Sequence, residues 1–268
     1  MPDTAPDGPP DDKRMTLPEH LEELRSRVTK AVVALGAVLL LAMSFQDRIM
    51  KYLTWPHTQA VQDLDPAERK LKVFGYPESF FTAFKMSLVA ALLIASPYII
   101  FQIWAFVRSG LYPKERRLVK SYSSISIVLF LAGASFGFFV LIPFTLRMLA
   151  QYKLENVEAM FNLTDYLSLV VILTLILGVV FELPLGMHFA SRLGLISADG
   201  FALKRRLAIV LIVVAAAVLT PTGDPYTLLL VSGPMVLLYE LGILFCRIAP
   251  GRPEPDGGTS KPGDTRPA

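Results

Sequence analysis

The sequence predicts an all-α, polytopic membrane protein with six transmembrane helices. Six apolar stretches separated by charged loops run through a chain of 268 residues that is 53% hydrophobic. Water is absent from the hydrocarbon core, so a chain this apolar must satisfy its backbone as helices or as a closed barrel. The period-2 alternation of a membrane strand is missing, which leaves helices. The spans fall at residues 28–45, 80–107, 122–142, 166–190, 207–219 and 225–246.

The first span is approached by a short amphipathic helix. Thr16 and Glu19 form a capping-box pattern, and Leu17, Leu21, Leu24 and Val28 recur at helical spacing. His20, Glu23 and Arg27 share another face, where Glu23 and Arg27 stand at i and i+4. On a solvated helix such a pair is worth only about 0.2–0.5 kcal/mol. Residues 46–79 follow as an external segment of 34 residues, punctuated by Trp55-Pro56 and Gly75-Tyr76-Pro77. That punctuation predicts short helical or capped pieces instead of free chain.

Between spans two and three, Glu115 stands among Lys114, Arg116 and Arg117. Charge balance accounts for it when it is taken alone. Beside Glu23, however, it is the second of two carboxylates on one membrane face, a pair able to receive a cationic peptide. Span four contains Glu182, eight residues inward from Ala190, or about 12 Å at a helical rise of about 1.5 Å. A charge at such a depth costs at least about 2.5–3.5 kcal/mol and ordinarily faces a cavity or a partner. An internally hydrogen-bonded structural role is the alternative. Pro184 frees a carbonyl nearby and kinks the helix. Span five has only 13 residues, about 20 Å against a core of about 30 Å, and Pro234 and Glu240 interrupt span six.

Lys and Arg resist translocation, so their distribution sets orientation. One side carries 18 of the 26, among them Arg25, Arg108, Arg116, Arg205 and Arg247, and the other carries eight. Both termini are therefore expected in the cytoplasm. The first fifteen residues lack the basic and apolar regions of a signal peptide, so the first span is expected to be retained as an anchor. Residues 1–15 and 249–268 are polar and Pro-rich and are expected to be disordered tails flanking a membrane domain at 16–248. A single cysteine, Cys246, excludes an intrachain disulfide. The three histidines, His20, His57 and His188, are scattered, so no metal site is expected. No internal repeat, P-loop, nucleophile-elbow or zinc-protease pattern occurs, which removes the commonest handles for an ATPase, a hydrolase or a metalloenzyme.

Five segments in order, His20-Leu-Glu-Glu-Leu-Arg25, Ser96-Pro-Tyr-Ile-Ile-Phe-Gln-Ile-Trp-Ala-Phe106, Leu111-Tyr-Pro-Lys-Glu-Arg-Arg-Leu118, Phe181-Glu-Leu-Pro184 and Leu219-Thr-Pro-Thr-Gly-Asp-Pro225, resemble TatC, the receptor family of the twin-arginine protein translocase. The resemblance covers residues 17–248. It implies a concave helical wall with a periplasmic cap, placed in the bacterial cytoplasmic membrane as a multi-pass protein. It implies a receptor, not an enzyme, that needs no cofactor and does not bind nucleic acid. Its role would be to bind twin-arginine signal peptides of folded proteins, self-associate, and recruit TatA and TatB for transport driven by the proton-motive force.

Carried over by position, Glu23 and Glu115 contact the twin arginines, and His20, Arg25 and Phe106 shape the same site. Glu182 is the intramembrane polar contact. The family often has an adjacent polar pair early in span six, after the periplasmic Asp224. Here Thr227 is followed by Leu228, leaving Thr220, Thr227 and Tyr226 as candidate contacts for a TatA or TatB helix. The chemistry suits the ligand, because guanidinium presents a planar fork that a carboxylate matches bidentately and an ammonium cannot. The rival class is a proton-coupled small-solute transporter, since a membrane carboxylate beside a proline also serves proton coupling. The missing repeat argues against it. A scaffold without peptide recognition is a further alternative.

Overall fold

The computed structural model describes residues 17–62, 70–111, 116–151, 161–219 and 225–248. Thr16, Glu115, Thr220, Asp224 and both tails lie outside the described residues. The chain divides into two compact units, Met1–Phe181 and Glu182–Ala268.

The first unit opens with α1 (Leu17–Met43), which contains the amphipathic approach and the first span without a break. Val32, Val33, Leu40 and Leu41 are all exposed on it. In water such a face would be an aggregation site, whereas acyl chains solvate it at no cost. The external segment is built from α2 (Gln46–Leu53), α3 (Trp55–Ala60) and β1 (Leu71–Lys72). As expected, these are short pieces. Trp55 of α3 packs against Phe138 and Phe139, and buried His57 packs edge-on to Phe161 and Tyr166. The Tyr166 hydroxyl donates to the carbonyl of Leu53, pinning the end of α2.

The long α4 (Tyr76–Ser109) runs through Pro97. Proline at 97 has no N–H for the carbonyl of Leu93 four residues earlier. The hydroxyl of Ser96 donates to that carbonyl instead, at 2.8 Å, so no backbone group is stranded in a membrane helix. Next, α5 (Arg116–Phe136) passes through a π-helical turn (Gly137–Leu141) into α6 (Ile142–Gln151). Pro143 again removes a donor, and the N–H of Ile142 reaches back to Gly137 across the widened turn. The span therefore continues past the expected residue 142 and covers Val119–Ala150.

Segment β2 (Phe161–Asn162) pairs in parallel with β1, Leu71 opposite Phe161 and Lys72 opposite Asn162. This two-residue ladder is a clasp on an otherwise helical fold. Asn162 then caps α7 (Leu163–Val180), its Oδ1 accepting from the N–H groups of Thr164 and Asp165 at 2.6 and 3.3 Å. The Glu78 carboxylate accepts from Asn162 Nδ2 (2.9 Å), Thr164 Oγ1 (2.8 Å) and the Phe74 N–H (2.7 Å), tying the start of α4 to the start of α7. Glycines let α5 and α7 approach closely. A Cβ on Gly133 would lie 2.5 Å from the carbonyl of Leu177, and one on Gly178 would lie 2.7 Å from the ring of Phe130.

The second unit holds α8 (Leu183–Arg192), α9 (Ala198–Leu203), α10 (Arg205–Leu219) and α11 (Pro225–Ile248). Gly194, at φ 73°, ends α8 in the left-handed conformation that glycine adopts without strain. Gly242 of α11 faces Met187 and Pro184 of α8, where a Cβ would come within 2.5 Å of the Met187 sulfur. Among the described residues, five helical segments are long and apolar enough to cross a bilayer: Pro18–Met43, Tyr76–Ser109, Val119–Ala150, Leu163–Arg192 and Pro225–Ile248. The short fifth span is α10, at 15 residues about 22 Å long. The Tyr239 hydroxyl donates to the Phe201 carbonyl at 2.9 Å, holding α9 to α11.

Candidate functional site

The amphipathic start of α1 lies along the end of α4. The imidazole of His20 stacks on the ring of Phe106 with centroids 4.5 Å apart and planes 28° from parallel. A Cβ on Gly110 would sit 3.3 Å from His20 Cε1, so glycine just past α4 leaves room for the ring. The Nδ1 atom of His20 is buried without a hydrogen-bond partner among the described residues.

One turn on, Glu23 and Arg27 form the pair that their spacing predicts, with Arg27 Nε 2.6 Å from Glu23 Oε1. The pair is more than a solvated surface contact. Each side chain is only about a quarter exposed (27% and 26%), and Arg27 Nη1 also donates to Oε1 of the buried Gln102 at 3.1 Å. Gln102 interrupts an apolar run in α4, and its neighbours Phe101 and Ile103 are exposed while it points inward.

A cavity of about 250 Å³ opens beside this triad, lined by Glu23, Arg27, Ala105, Arg108, Ser109 and Arg116. Arg116 is held at its rim by a bond from Nε to the Leu111 carbonyl at 3.1 Å. The described lining thus sets one carboxylate against three guanidinium groups. Of the residues expected here, His20, Glu23 and Phe106 come together on α1 and α4. Arg25 is exposed on another face of α1 and does not line the cavity. Glu115 lies outside the described residues, and Arg116, which follows it in the chain, is part of the lining.

In the second unit Glu182 is the N-cap residue of α8, with Pro184 in the first turn. Its carbonyl accepts from the Gly186 N–H at 2.8 Å. The side chain is partly buried, with Oε1 shielded from solvent. A carboxylate at a helix N-terminus is favoured by the unpaired N–H groups and the helix dipole. Of the candidate partner-helix contacts, Tyr226 is exposed and Thr227 is buried in its own unit. Among the described residues no group of three or more His, Cys, Asp or Glu comes together as a metal-binding set.

One polar partner, Gln102, was not singled out from the sequence, although a polar side chain inside an apolar run was the available signal. Glu240, which interrupts span six in the sequence, is met by Arg205 at 2.6 Å.

Comparison with known proteins identifies the family and the fold. The family model described as "Sec-independent protein translocase protein (TatC)" matches residues 19–234. The Sec-independent protein translocase protein TatC of Desulforapulum autotrophicum is 33% identical over 238 residues, covering 89% of this chain and 86% of that protein. The chloroplastic TATC of Arabidopsis thaliana is 37% identical over 231 residues, covering 86% of this chain and 66% of that protein. The crystal structure of the twin arginine translocase receptor TatC superposes with a TM-score of 0.74 at 29% identity, covering 86% of this chain and 99% of that one. This multi-pass membrane protein belongs to the TatC family of Sec-independent protein translocase proteins.

Proposed function

We propose that this chain is the signal-peptide receptor of a twin-arginine translocase in a bacterial cytoplasmic membrane. It acts as a transport subunit and not as an enzyme, binding the twin-arginine signal peptides of folded proteins at its cytoplasmic face and recruiting TatA and TatB for export driven by the proton-motive force. The observation that carries this reading is the cavity beside Glu23, a partly buried carboxylate on the cation-rich face of the membrane. The positive-inside rule explains the cations but not the acid. Glu23 and Glu115 would each take one guanidinium, with the His20–Phe106 stack less than one helical turn before Glu23 on α1. Exposed Tyr226 supports a partner-helix contact on span six, with Thr220 and Thr227 as the further candidates from the sequence, and Glu182 would be a polar contact within the membrane.

Replacing both Glu23 and Glu115 with Lys should lower the affinity for a twin-arginine peptide by at least about tenfold and block export, while membrane insertion is retained. Fluorescence anisotropy with the receptor in lipid nanodiscs reads the first effect, and a folded reporter exported from cells reads the second. Unchanged peptide affinity in the double variant overturns the assignment.

A further inference from the structure

The Glu23 carboxylate already holds a guanidinium of its own chain. Arg27 occupies it at 2.6 Å and is steadied from the other side by Gln102 at 3.1 Å. We propose that Arg27 is an intramolecular competitor for the signal-peptide arginine, closing Glu23 until a ligand guanidinium displaces it. This inference rests on the assignment of Glu23 to the peptide site.

Three features favour displacement over simple addition. Arg27 is about three-quarters buried, and its second anchor, Gln102, lies on a different helix, so the side chain is placed by the tertiary structure and not by helix spacing alone. The rest of the described lining contributes Arg108 and Arg116, so an arginine entering while Arg27 remains would meet three like charges with the single described carboxylate already engaged. Finally, Arg27 has a way out, since its long apolar stem can stay on the helix while the head group turns to water.

Displacement exchanges one arginine–carboxylate contact for another of the same chemistry, so the net gain from Glu23 is small. Binding must then draw on the second arginine and on the rest of the peptide. The apparent affinity falls by the fraction of receptors in which Glu23 is open. That factor is the same for every peptide using Glu23. Arg27 therefore sets a threshold: it lowers arginine and lysine peptides alike and pushes the weaker lysine peptides below useful occupancy.

The test measures twin-arginine and twin-lysine peptides against wild type, Arg27→Gln, Arg27→Lys and Glu23→Gln in nanodiscs at fixed salt. Arg27→Gln should tighten both peptides by about fivefold, equivalent to about 1 kcal/mol, and leave their ratio unchanged. Arg27→Lys keeps the charge and loses the guanidinium fork, so it should tighten both by a smaller factor. Affinity in Arg27→Gln that is unchanged or weaker, while Glu23→Gln weakens binding, overturns the competitor and leaves the peptide site standing. A gain in Arg27→Gln with wild-type affinity in Arg27→Lys also overturns it, because simple charge repulsion would then suffice. Wild-type affinity in Glu23→Gln removes the assignment of Glu23 and the competitor with it. Folding is checked through the single buried thiol, Cys246, whose heat-dependent labelling reports unfolding; if Arg27→Gln is unfolded, the direction of change in Arg27→Lys decides.

Discussion

Glu182 is placed where a carboxylate in a membrane helix is tolerated. It is the N-cap residue of α8, at the break after α7, where Pro184 has no N–H to donate. If its task is a polar contact inside the bilayer, hydrogen-bonding capacity matters more than charge. Export should therefore rank wild type first, Glu182→Gln close behind, and Glu182→Ala and Glu182→Leu well below, measured as transport of a folded reporter at equal receptor levels. Full export by Glu182→Leu would reduce the residue to a structural role. The same logic separates Glu23 from Glu240. Glu240 is joined to Arg205 across two helices, 40% and 46% exposed respectively. Glu23 borders an open cavity.

Among the helices of the first unit, α5 and α7 meet through close glycine contacts. Lipid tails are as apolar as the helix faces, so association depends on packing, and glycine permits the closest packing. Gly133→Ala would drive a Cβ to 2.5 Å from the Leu177 carbonyl oxygen. Backbone cannot step aside as a side-chain tip can, so α5 and α7 must separate, at a cost of about 1–3 kcal/mol. Gly36 of α1 has nothing within 4 Å of the equivalent position, and alanine there should be neutral or mildly stabilising. Thermal unfolding in detergent, followed through Cys246, should show a clearly lower midpoint for Gly133→Ala and none for Gly36→Ala. Equal midpoints would mean that the α5–α7 contact contributes little. The π-helical turn next to this contact combines the missing N–H of Pro143 with a close approach to α7, where a Cβ on Gly137 would lie 3.1 Å from the Leu177 side chain.

For the molecule as a whole the bilayer is the solvent, and its thickness is a constraint that α10 does not meet. At about 22 Å against about 30 Å, the helix leaves a deficit that is absorbed by local thinning or by polar flanks drawn inward, at fractions of a kcal/mol per Å. Arg205 at its N-terminal end is tied to Glu240, which limits how freely that flank can snorkel. If the chain works as proposed, a bilayer thinned around α10 would lower the barrier to a passing folded protein and present a polar site to TatA or TatB helices. Inserting about four to seven Leu or Ala residues after Val214 restores a normal span. The lengthened protein should bind twin-arginine peptide with wild-type affinity and fail to export a folded substrate. Export at the wild-type rate would make the shortness of α10 incidental.

Helix number, the short fifth span and the pairing of Glu23 with Arg27 were legible in the sequence, because hydropathy, length and i,i+4 spacing act over one or two turns of a single segment. Glu182 was legible for the same reason, since a carboxylate in an apolar run is costly wherever that run folds. What the sequence alone left open was every contact between segments. Arg27 meets Gln102 across 75 residues, Arg205 meets Glu240 across 35, and Glu78 meets Asn162 across 84. In a soluble helix the polar face marks the outside, but a membrane helix is apolar toward lipid and toward its neighbours alike, so periodicity carries little sign of which side is buried. Only the packing of α1 against α4 turned an ordinary helical ion pair into an occupied carboxylate at the edge of a cavity.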